Sequence, residues 1–125
     1  MLSHSIYNVI HVVGIILLMT SLGALAIHAY AGGTREGNPA RQLLVGLHGL
    51  GAFLVLLGGF GMLARIGFAH GAMFPPWLLV KLAVWLLVSL AVLLPYRRPR
   101  FGLPLLLSLP VLGGLAAVMA IYKPF

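Results

Sequence analysis

Residues 6–29 read IYNVIHVVGIILLMTSLGALAIHA, a run with no carboxylate, lysine or arginine. As a helix rising ~1.5 Å per residue, it is long enough to cross the ~30 Å hydrocarbon core of a bilayer. No water is present there to satisfy an open backbone, so a helix is the spanning form expected. Working outward, residues 43–64, 77–94 and 103–121 repeat the pattern of a long apolar run broken lightly by histidine or lysine. Connections this short make sequence neighbours antiparallel. The expected fold is an all-α integral membrane protein, an antiparallel up-down four-helix transmembrane bundle that uses residues 1–125 as one domain.

Composition agrees. Hydrophobic residues make up 62% of the chain, charged residues 7%, and mean hydropathy is +1.11, too little charge to clothe a soluble domain. Glu36 is the sole acid, and the net charge is +7. The cations sit beside the spans and form no stripe with interleaved aromatics, so anionic lipid headgroups rather than nucleic acid are the expected counter-charge. The absence of cysteine excludes disulfides, iron–sulfur clusters, thiolate catalysis and covalently attached haem c. Ala24-Leu25-Ala26 resembles a signal-peptide cleavage site, but no Lys or Arg precedes the apolar run, which reads as a span.

The first connection, Gly32 to Pro39, is polar and glycine-rich. The second, Gly67 to Pro76, carries His70 and ends in Pro75-Pro76, a start signal for a helix at Trp77. The third is short, basic and stiff: Pro95-Tyr96-Arg97-Arg98-Pro99-Arg100. Arg35, Arg41, Arg97, Arg98 and Arg100 flank the first and third connections, against Arg65 and Lys123 on the other side. The positive-inside rule places those two loops in the cytoplasm and both termini outside, in a bacterial-type inner membrane. In the second span, His48, Gly51, Ala52, Val55 and Gly59 share one helical face, and small residues there permit close approach of backbones. Gly113, Ala117 and Ala120 give the fourth span a similar face, and Pro110 is expected to kink it.

Ionisable groups inside a membrane are candidate functional groups. His11 and Lys81 each lie about 6–8 Å inside the same boundary, counted from their helix ends. They can share a layer and serve haem, His11 through its imidazole and Lys81 as an axial or propionate partner. Structural roles compete with this: Lys81 is shallow enough to snorkel, and His11 can bond a neighbouring carbonyl. His28 and His48 can form a second layer at the other boundary. His48 among glycines is compatible with a b-type haem pocket and equally with plain helix packing. His4 and His70 read as solvated, with a structural or surface metal site shared with His11 as the alternative, and Glu36 reads as a loop charge. No carboxylate pair, nucleophile elbow or phosphate-binding loop is present.

His11, the segment Trp77-Leu78-Leu79-Val80-Lys81-Leu82 and the terminal Lys123-Pro124-Phe125 together resemble HemJ-type protoporphyrinogen oxidases, and the layout is similar to the related small four-helix CopD and SirB proteins. The chain departs from the HemJ pattern at Leu25–Tyr30 and at Pro95-Tyr96-Arg97, and His48 is closer to the SirB-like relatives. The resemblance implies a four-helix membrane protein in which His11 and Lys81 serve haem b. His11 would be an axial ligand to the haem iron, Lys81 a second ligand or charge partner, and Trp85 a ring wall one turn along. Electrons would then pass between a hydrophobic reductant, such as a porphyrinogen or quinol, and an acceptor. A different class of reading is a non-catalytic accessory subunit of a larger membrane complex, and a third, by analogy with CopD, is a copper or small-solute carrier. A homo-oligomer is compatible with any of them.

Overall fold

A computed structural model describes residues 2–65 and 75–123; His70 and the Pro124-Phe125 end of the terminal motif lie outside them. The described residues contain four long helices and no strand: α1 (His4–Tyr30), α2 (Arg41–Arg65), α3 (Pro76–Leu90) and α4 (Gly102–Tyr122). All four are long and apolar enough to cross a membrane, counting the short 3₁₀ turns Ala91–Leu93 and Pro99–Phe101 that extend α3 and precede α4.

The ends of the helices have local causes. Ser3 begins α1 two residues before the expected start, its hydroxyl accepting from the Ile6 amide at 3.2 Å. At the other end the amide of Gly33 bonds the His28 carbonyl and that of Gly32 the Ala29 carbonyl, a Schellman closure. Gly32 takes φ 96°, a conformation that costs a side-chain-bearing residue free energy. Pro75 and Pro76 open α3 as the sequence implies. Helix α4 continues through Pro110 without a break.

Contacts across the bundle run in opposite chain directions. Tyr7 lies against Gly61, His11 against Gly58 and Leu18 against Gly51, so α1 and α2 are antiparallel. Met19 meets Gly113, Gly23 meets Leu106, and Tyr30 meets Gly102, which sets α4 antiparallel to α1.

Helix α1 is the hub. Its buried Gly14, Leu18, Leu22, Leu25 and Ala29 are spaced three or four apart, Ser21, Gly23 and Ala26 are buried beside them, and Leu18 and Leu22 meet Val84 and Val88 of α3 and Leu109 of α4 in the core. The α1–α2 contact is the most extensive in the bundle and is made backbone to backbone. A Cβ on Gly14 would lie 2.7 Å from the Val55 nitrogen, and one on Gly51 2.6 Å from the Leu18 nitrogen, so neither position has room for a side chain. The small face expected on α4 does not play this part. Gly114 faces open space and Gly113 meets only the Met19 methyl at 3.7 Å; the tight position is Gly102, whose Cβ would collide with the Ala26 carbonyl. The outward surface is apolar, with Val111 70% and Ile121 72% exposed, the reverse of a water-soluble protein.

Helices α2 and α3 touch sparsely. Two hydrogen bonds tie them: Trp85 Nε1–H donates to the Ala52 carbonyl at 3.0 Å, and His48 Nε2–H to the Val88 carbonyl at 3.2 Å. Beyond this clip, toward the end of the bundle that carries both termini, the two helices border a cavity.

Candidate functional site: the His11–Lys81 cavity

The cavity measures about 340 Å³, within the lower range of small-molecule sites. Helix α1 contributes His4, Asn8 and His11, a stripe at i, i+4 and i+7. Val55, Gly59 and Phe60 of α2, with Trp77, Lys81 and Trp85 of α3, form the walls, and Lys123 closes the end of α4. His11, Lys81 and Trp85 are thus brought together, as their depths in the sequence imply. His48 is not among them. It is 3% exposed, lies beyond the Trp85–Ala52 bond, does not line the cavity, and bonds the Val88 carbonyl, tying α2 to α3.

His11 is the most constrained group in the site. Its Nδ1–H donates to the Val55 carbonyl at 2.8 Å, and its ring lies 3.5 Å from where a Cβ on Gly59 would stand. A neutral imidazole with its Nδ1 proton so engaged keeps the Nε2 lone pair free, the arrangement in which a histidine serves as a metal ligand. Lys81 makes no hydrogen bond or ion pair with a described residue and lines the same cavity as His11 and Lys123. Trp85 forms part of the wall, its ring fixed by the bond to Ala52. At the mouth the Lys123 ammonium stands 5.2 Å from the Trp77 ring centroid and donates to the Ala120 carbonyl. Lys123 is the left-handed C-cap of α4, φ 45°, its amide bonded to the Met119 carbonyl.

Among the described residues no carboxylate lines the cavity. Its chemistry is an apolar slot with aromatic walls, the imidazoles of His4 and His11 and two ammonium groups, suited to an apolar molecule with anionic substituents. Among the described residues no three of His, Cys, Asp or Glu gather as a metal cage.

Sequence reasoning missed four members of the site. His4 is exposed but lines the mouth, and Asn8, Trp77 and Lys123 complete it. The α1 stripe was visible as His4-Asn8-His11 spacing; Trp77 beside Lys123 follows only once α3 and α4 are known to be antiparallel. The second histidine layer does not form. His28 instead accepts at Nδ1 from the Tyr96 hydroxyl at 2.8 Å, and Tyr96 accepts from Asn38 Nδ2 at 2.9 Å, a bridge between the first and third connections. Comparison with known proteins finds no family model, curated protein or solved structure that matches this chain.

Proposed function

We propose that this protein is a multi-pass membrane protein that binds haem b in the His11–Lys81 cavity and acts as an oxidoreductase of the HemJ type. The convergence of His11, Lys81 and Trp85 on one apolar cavity, with Nε2 of His11 uncommitted, carries this reading. Haem b bound there supplies one-electron chemistry, at a potential that its ligands and surroundings tune.

The chain's own part is positional. The Val55 carbonyl orients the His11 imidazole and makes it a better donor. Lys81 is a second ligand or meets a propionate, and Lys123 at the mouth supplies a further cation for carboxylates. Trp85 closes the inner end of the slot, and the leucines of α2 and α3 exclude water. A porphyrinogen or quinol, itself hydrophobic, reaches such a site from the bilayer. In the membrane, the loops rich in arginine lie in the cytoplasm and both termini outside.

The test is the dithionite-reduced minus oxidised spectrum of the protein purified in mild detergent. A sharp b-type α-band at near-stoichiometric haem is expected, and His11→Ala is expected to abolish it while helicity is kept. A featureless spectrum from folded protein, even with haem supplied during expression, would sink the haem reading and leave the accessory-subunit one.

A further inference from the structure

A second hollow lies at the opposite end of the bundle, on the outward face of α3. It is an open depression lined by Leu87, Leu90, Leu93 and Leu94 and by Arg97 and Arg98. Leu87 and Leu90 share one face of α3, and the 3₁₀ turn Ala91–Leu93 carries the apolar lining on through Leu93 and Leu94 to the arginines. Leu87 and Leu90 are 59% and 56% exposed. Both arginines are exposed and no acid lines the hollow.

The arginines are held there by a braced turn. Their amides both bond the Leu94 carbonyl, at 3.1 and 2.9 Å. Pro95 is buried and Tyr96 is pinned inward by His28 and Asn38, so the chain turns with Arg97 and Arg98 on the outside. Neither guanidinium has a hydrogen bond or ion pair with a described residue; Arg100, by contrast, stacks 4.9 Å from the Phe101 ring centroid. Two unpaired guanidiniums at the end of an apolar strip have the shape of half an amphiphile, and what is missing is an anion carrying a hydrocarbon tail. Guanidinium pairs bidentately with phosphate, and the strip matches an acyl chain running along the helix.

We propose that this hollow binds an anionic phospholipid, its phosphate between Arg97 and Arg98 and one acyl chain along Leu87, Leu90 and Leu94. The proposal rests on the membrane-spanning part of the function above and is independent of haem, so the loss of the haem reading leaves it intact.

Native mass spectrometry of the detergent-purified full chain, titrated with phosphatidylglycerol or with phosphatidylcholine of the same chains, decides it. Phosphatidylglycerol should be retained preferentially. R97Q/R98Q should weaken its binding about 25-fold, fivefold for each arginine, and weaken that of phosphatidylcholine, whose choline cancels the phosphate charge, far less. R35Q/R41Q, which removes the same charge from the same end of the bundle, should change it far less. Equal binding of the two lipids, or equal losses in the two double variants, would overturn the proposal. So would full competition by glycerol phosphate, which lacks the chains. The comparison of lipids uses the wild-type protein and stands even if a variant fails to fold.

Discussion

His11 and His48 make the same bond, ring N–H to a backbone carbonyl on the adjacent helix, yet have opposite consequences. Beside His11 the helices part and the second nitrogen looks into a cavity; around His48 they close, and the ring is packed on every side. The residue type carries no information on this difference; what surrounds it does. We therefore expect His48→Ala to lower stability by about 1–3 kcal/mol, from the lost interhelical bond and the space the ring leaves, while the b-type spectrum keeps its band position and stoichiometry. Unfolding in a denaturing detergent titration, read beside the spectrum, checks both halves. A His48→Ala protein without haem but with wild-type stability would reverse the two assignments. The His11–Lys81 layer was legible because depth below a boundary can be counted from helix ends. The pairing of His28 with Tyr96 was not, since it joins residues 68 apart on the chain through a loop whose path the sequence does not encode in any periodicity.

Between elements, the α1–α2 seam concentrates specificity in a few positions without side chains. A methyl group at Gly51 would meet the Leu18 backbone nitrogen at 2.6 Å, while one at Gly49, two residues away, meets nothing within 4 Å. Gly51→Ala should thus destabilise the protein by about 1–3 kcal/mol, because two packed backbones must separate. Gly49→Ala should be neutral or stabilise it by up to about 1 kcal/mol through helix propensity. Thermal unfolding of the two variants in the same detergent gives the comparison, and equal midpoints would refute the seam. The α2 face that includes Gly51 could be read from spacing alone. Its counterpart Gly14 on α1 could not, because a seam is defined by two helices and a single helix shows only one margin of it. Helix number and limits were readable to within a few residues, long apolar runs being a strong signal. The 3₁₀ finish of α3 was not, since its leucines and valines continue the apolar pattern unchanged.

For the whole molecule, the uneven distribution of arginine implies a direction of insertion. The chain has no native cysteine, so single replacements report cleanly. In intact cells Ser5→Cys should react with a membrane-impermeant maleimide, and Glu36→Cys only after permeabilisation. The reverse pattern would invert the orientation and place the mouth of the His11 cavity on the cytoplasmic side. The glycine seam has one further consequence, for the order in which the protein is made. It unites two helices separated only by residues 31–40, so its partners are both available once the chain has been synthesised to Arg65, before Pro76 is reached. The hairpin can close on the ribosome, and it then offers Leu18 and Leu22 as a prepared surface onto which Val84, Val88 and Leu109 arrive in the sequence of their translation.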